Sequence, residues 1–158
     1  LAGAEVCRNV FFLIVGGNTK DILLYKKVAK AKKLTNILFT GYVMNKDIPK
    51  YCMASDILIM PYTRATPTWK HMSPIKMFEY LAAGKPIIAT DLPAISKILK
   101  DQKNALLVPE ESPEKIISAI ESLTRDNELS GQMAWNNQVM ARNFTYKKRC
   151  QLILEGVV

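Results

Sequence analysis

Histidine is nearly absent from this chain, with one in 158 residues, and the three cysteines, Cys7, Cys52 and Cys150, stand far apart without a CxxC pair. That excludes a disulfide framework and a zinc-ligand cluster, and three reduced thiols are expected. No DxD follows a strand and no HExxH occurs, so no metal or other cofactor is expected. No apolar run approaches the roughly 20 residues of a membrane helix. The chain opens on Leu1 with no charged stretch ahead of an apolar one, so no signal peptide is expected and the start reads as internal to a longer protein. A cytoplasmic location follows. Acidic residues are also scarce, 14 against 22 basic ones, for a formal charge of +8. Basic and aromatic residues do not interleave, which argues against nucleic acid.

What is present is a globular composition, 49% hydrophobic, with the length of one domain. Much of the positive charge lies between Lys20 and Lys33 and at Lys147-Lys148-Arg149. It reads either as solvated helix face or as attraction to anionic lipid headgroups or a phosphorylated ligand. The second reading extends the location to the inner face of a membrane.

Short runs of β-branched and apolar residues predict buried strands at 10–15, 36–40, 56–60, 86–89 and 104–108. Helical patterns fill 20–33, 46–54, 74–83 and 92–100. Such alternation predicts an α/β fold with a Rossmann-like, doubly wound parallel sheet covered on both faces. Beyond Pro109 the pattern turns helical, with starts at Ser112-Pro113-Glu114, Asp126 and Thr145.

The densest segment is HMSPIKMFEYLAAGKPIIATDLP, His71 to Pro93. Ser73 reads as a helix N-cap, Pro74 as the first helical residue and Gly84 as the left-handed residue after the helix. Ile75, Phe78, Leu81 and Ala82 form the expected core stripe, with Glu79 at its edge. Lys76, one turn earlier, either pairs with Glu79 or stays free for an anion. The helix start offers backbone N–H groups to negative charge. Gly16-Gly17, after the first strand, is either a turn or a place where backbone meets a ligand.

This segment resembles the donor site of the group 1 (family 4) retaining glycosyltransferases, of GT-B architecture. VFFLIVGG, NILFTGYV, ASDILIMPY and NALLVP match the same family in order and spacing, over roughly residues 10 to 150. The resemblance implies a partial C-terminal domain lacking its first, central strand, with 1–144 as the nucleotide-sugar-binding unit and 145–158 as a helix crossing to a missing N-terminal domain. It implies hexose transfer from a nucleotide-diphosphate sugar to a saccharide or lipid-linked acceptor. Alternatives are a sugar-nucleotide epimerase of the same architecture and a non-catalytic nucleotide-binding scaffold.

The implied donor-binding residues are Gly16, Gly17, Tyr42 and Val43 at the nucleotide, Ser73, Pro74, Ile75 and Lys76 at the diphosphate, and Glu79 at the ribose. Glu79 matches the second glutamate of the family's E-x7-E motif. His71 falls on the first and is the candidate catalytic residue, against the alternative of an exposed loop histidine. Arg64, Thr66, Thr68, Trp69 and Lys70 lie on a loop within reach of a sugar, though a Trp packing on its neighbour is an equal reading.

Overall fold

Helices alternate with parallel strands in the computed structural model, which describes residues 1–156 apart from Thr66 and Thr68. The strands are β1 (Phe12–Val15), β2 (Ile37–Gly41), β3 (Leu58–Met60), β4 (Ile87–Thr90) and β5 (Leu106–Val108). Helix α1 (Ala2–Val6), which no sequence pattern announces, buries Ala4 and packs near α6 (Pro113–Arg125). Helix α2 (Thr19–Ala31) joins β1 to β2, α4 (Ile75–Ala83) joins β3 to β4, and α5 (Pro93–Ser96) joins β4 to β5. Parallel neighbours need such crossovers. The pattern expected at 46–54 divides into a 3-10 turn (Asn45–Asp47) and α3 (Ile48–Ala54). That expected at 92–100 shortens to α5, and the N–H groups of Ile98 and Leu99 both turn back to the Ile95 carbonyl.

Two longer helices and a terminal one complete the chain: α6, α7 (Asn127–Ala141) and α8 (Tyr146–Leu154). Asp126 caps α7 by accepting from the Leu129 N–H at 2.9 Å, and Thr145 caps α8 through the Lys148 N–H at 3.2 Å. On α8 Tyr146 is 84% and Leu154 86% exposed, with Cys150 and Ile153 also open.

The sheet divides in two, as expected of one that lacks its central strand. β1 pairs with β2, and β3, β4 and β5 pair in that order, every pair parallel. No pairing joins β1 to β3 among the described residues. β4 therefore sits at the centre of the larger sheet, and its two faces separate the core. Ile87 and Ala89 pack with Met77, Leu81, Leu92 and Ile95 on one side. Ile88 packs with Ala119, Ile120, Leu123 and Met133 on the other. The period of two along a strand produces this division. The smaller sheet is not covered on both faces: Ile14 and Leu38 are exposed, and among the described residues β1 has β2 on one edge and no strand paired on the other.

Helix α2 ends in a Schellman turn, the Lys33 N–H bonding the Lys30 carbonyl and the Leu34 N–H that of Ala29, each at 3.0 Å. The left-handed position belongs to Lys33 (φ 52°), where a Cβ costs about 1–2 kcal/mol. Greater freedom of glycine in the unfolded chain offsets part of that. Lys33→Gly is accordingly expected to stabilise the fold by about 0.5–1 kcal/mol. Denaturant melts check this, and a lower midpoint for the variant would mean that the lysine side chain contributes more than its backbone costs.

Candidate functional site

The carboxyl tips of β1 and β2 are tied together by backbone. The Gly16 N–H donates to the Gly41 carbonyl at 3.0 Å and to Thr40 Oγ1 at 3.3 Å, and Thr40 in turn donates to the Gly41 carbonyl at 2.9 Å. Gly16, Gly17 and Gly41 have φ values of 93°, 99° and 79°, left-handed conformations that favour glycine. A Cβ on Gly16 would meet nothing, so its backbone lies open. Asn18 then caps α2, accepting from the Asp21 N–H at 2.9 Å. Tyr42 stands 83% exposed just beyond β2, with Val43 half-buried behind it. The structure thus brings Gly16, Gly17, Tyr42 and Val43 to one strand edge, with bare backbone beside an aromatic ring.

Helix α4 differs from expectation in three respects. Its N-cap is Pro74 (ψ 122°), not Ser73, whose side chain makes no cap hydrogen bond. Pro74 is held in extended backbone and its carbonyl closes the first turn, accepting from the Met77 N–H at 3.0 Å. The buried face is Met77 and Leu81, while Ile75 is 70% exposed and Ala82 also faces out. Phe78 reaches the core only partly and stacks obliquely on Phe144, ring centroids 5.1 Å apart. Finally, Lys76 does not pair with Glu79. Its ammonium lies 5.1 Å from the centre of the Tyr62 ring, a cation–π contact.

The result is a helix start with open donors and an unspent carboxylate. The N–H groups of Ile75 and Lys76 precede any intrahelical acceptor. Pro74 is buried, Ser73 and Lys76 are exposed, and Glu79 is half-buried with no hydrogen bond or ion pair among the described residues. Two weak acids adjoin it. Burial, then the charge of Glu79, pushes the Cys52 thiol up, partly countered by a backbone hydrogen bond. Burial, then Cys52, Tyr62 and Glu79, pushes the Tyr80 hydroxyl up to about 12. Both stay protonated near neutrality, so neither adds a negative charge beside Glu79.

His71 is exposed on the loop before α4. Of the loop candidates, Thr66 and Thr68 lie outside the described residues. Trp69 is half-buried against the core and flanked by two cations, Arg64 and Lys70, each 5.2 Å from its ring centre. Glu110, which the sequence reading passed over, holds this loop from the far side of the sheet. Its carboxylate accepts from Arg64 Nε and from the Arg64 backbone N–H, both at 2.9 Å. The two residues are 46 positions apart. Only their shared place after β3 and β5, at the carboxyl edge of one sheet, could have suggested the contact.

Parallel strands, crossover helices and a helical tail define the Rossmann-like C-terminal half of a GT-B glycosyltransferase. The chain belongs to the group 1 glycosyl transferases, whose family matches residues 2–126. It is 44% identical over 68 residues to TuaH of Bacillus subtilis, named for a glycosyltransferase of teichuronic acid biosynthesis, covering 43% of this chain and 17% of TuaH. It is 23% identical over 138 residues to the alpha-D-kanosaminyltransferase of Streptomyces kanamyceticus, covering 85% of this chain and 34% of that enzyme. The chain therefore spans about a third or less of the length of these relatives. Among solved structures, Anabaena HepE in complex with UDP superposes with a TM-score of 0.85 at 20% identity, covering 99% of this chain and 43% of HepE. The C-terminal domain of LpcC, a group 1 family protein from Francisella tularensis, superposes at 0.74 with 22% identity, over 90% of this chain and 75% of that domain.

Proposed function

We propose that this chain is the donor-binding part of a retaining glycosyltransferase that moves a hexose from a nucleotide-diphosphate sugar to a saccharide or lipid-linked acceptor. The observation that carries the reading is Lys76 held over Tyr62, which leaves both the Glu79 carboxylate and the N-terminus of α4 available to a ligand. Glu79 accepts hydrogen bonds from the vicinal ribose hydroxyls, a task suited to an acceptor-only group with two oxygens. The N–H groups of Ile75 and Lys76, the Ser73 hydroxyl and the Lys76 ammonium hold the diphosphate, with Pro74 fixing where the helix begins. Gly16 and Gly17 let the nucleotide approach bare backbone, and Tyr42 and Val43 line the base.

In the transfer, the bond between the anomeric carbon and the diphosphate oxygen breaks and a glycosidic bond to the acceptor oxygen forms. The acceptor proton is released and the nucleoside diphosphate leaves. Its growing negative charge falls where α4 and Lys76 concentrate positive potential. His71, in place of a carboxylate, offers the sugar a hydrogen bond. The acceptor side belongs to a further, N-terminal domain outside these 158 residues.

HepE was solved with UDP and with UDP-glucose, which makes uridine nucleotides the first probes. Titration of UDP-glucose into the isotopically labelled chain is expected to shift the amide signals of Gly16, Gly17, Tyr42 and Ser73 to Lys76 (Pro74 excepted) saturably, without sugar transfer by this chain alone. Absence of saturable binding by UDP-, GDP- and ADP-sugars alike would overturn the donor reading. Transfer above a buffer control would overturn the assignment of the acceptor side elsewhere.

A further inference from the structure

Six lysines and one aspartate lie between residues 20 and 33, so this short segment carries five of the eight net positive charges of the chain. The aspartate, Asp21, is engaged with the Asn18 side chain, and Lys32 pairs with Glu5. The remaining five lysines make no ion pair among the described residues. At about 100° per residue, Lys20, Leu23, Leu24, Lys27, Lys30 and Ala31 fall within roughly a third of the helix circumference. Ile22 and Ala29 lie opposite, turned toward the protein. On the outer face Leu23 is 56% and Leu24 58% exposed, two large apolar side chains standing among the lysines.

We propose that the outer face of α2 is a docking surface for an anionic phospholipid bilayer. Lysines alone would serve any polyanion, but two adjacent exposed leucines gain nothing from nucleic acid. A lipid surface satisfies both sets: leucines reach the acyl boundary while lysine stems extend back to the phosphates. The contact is peripheral, since among the described residues no helix is long and apolar enough to cross a membrane. The face also fixes an orientation. α2 starts directly after the Gly16-Gly17 tip and runs for 13 residues, about 20 Å, so docking keeps that tip within a helix length of the lipid surface. The proposal stands whether or not the tip binds a nucleotide.

Vesicle co-sedimentation tests it. The chain is expected to bind phosphatidylcholine vesicles containing phosphatidylglycerol, not phosphatidylcholine alone, and to detach at high salt. A lysine near an anionic surface contributes a factor of about five, so Lys27→Ala with Lys30→Ala should weaken partitioning on the order of twentyfold. Leu23→Ser with Leu24→Ser should weaken it about tenfold with every charge kept. Lys147→Ala with Lys148→Ala, on α8, should change it less than about twofold. Thermal melts establish that each variant is folded. The proposal is overturned by failure of the wild-type chain to bind anionic vesicles at low salt, which would leave the face to a protein partner. It is equally overturned by binding that the α8 pair abolishes and the α2 pairs spare. A leucine pair without effect, together with equally tight binding to duplex DNA, would make the face a generic polyanion surface and also overturn it.

Discussion

Glu79→Gln is expected to weaken binding of a nucleoside diphosphate or its sugar by roughly ten- to a hundredfold, the span of ~1.5–3 kcal/mol for a hydrogen bond to a charged acceptor. The fold should scarcely register the change. Glu79 holds no ion pair and no hydrogen bond among the described residues, and Lys76, its one candidate partner on the helix, rests on Tyr62. Glutamine keeps the shape and nearly the same helix propensity. Its neighbours Cys52 and Tyr80 ordinarily lose their protons only above neutral pH and burial raises both further, so neither depends on Glu79 to stay protonated there. A stability change under about 1 kcal/mol follows, typical of a site away from tight packing. Calorimetric titration of UDP into both proteins, alongside thermal melts, measures the two effects separately. Unchanged affinity with a large fall in melting temperature would make Glu79 a structural residue and remove the ribose assignment.

The parts of this molecule legible in its sequence are those fixed by neighbours along the chain. The run Ile87–Ala89 is apolar on both faces because β4 is central, and three residues suffice to show it. Asp126 and Thr145 precede their helices with oxygen atoms at capping distance, a local geometry. The face of α4 was not legible in this way. IKMFEYLAA is apolar nearly all round, so periodicity alone does not choose between the Ile75 side and the Met77 side. The choice falls to packing against α3 and α7. The Lys76–Tyr62 contact joins helix α4 to the loop after β3, and the Arg64–Glu110 contact joins the loops after β3 and β5. Each is a tertiary fact.

The candidate site mixes the two kinds. Ser73 to Glu79 were found as a segment because a helix start and a carboxylate one turn later are local features. Whether Glu79 is engaged or free turned on Tyr62, which reaches Lys76 from the loop after β3. Burial assigned to Ile75 on pattern alone would have hidden the exposed end of the helix where an anion can approach. The family resemblance supplied roles, and tertiary geometry supplies the reason that Lys76 and Glu79 can act as separate groups.

Gly84→Ala should lower stability by about 2 kcal/mol, and the loss should divide into two separable parts. The first is backbone: Gly84 ends α4 at φ 60°, ψ 46°, where an L residue costs about 1–2 kcal/mol. The second comes from α7. A Cβ at Gly84 would lie 2.4 Å from Gln138 Cγ and 2.8 Å from its Cδ. Helix α7 cannot simply lift, because Asn137, fully buried, donates through Nδ2 to the Lys85 carbonyl at 2.8 Å and so clamps the helix to this turn. The exposed Gln138 side chain must instead leave its rotamer, at about 0.5–1.5 kcal/mol. The reduced freedom of alanine in the unfolded chain returns about 0.4–1 kcal/mol. At roughly 2–4 °C per kcal/mol, the melting temperature should fall by about 4–8 °C. Adding Gln138→Ala removes the overlap and leaves the backbone strain, so the double variant should recover roughly half of the loss, a coupling readable by a double-mutant cycle. A neutral Gly84→Ala would refute the strain at this turn. A loss that Gln138→Ala leaves untouched would refute the part assigned to α7, and with it the view that α7 sets where α4 hands the chain to β4.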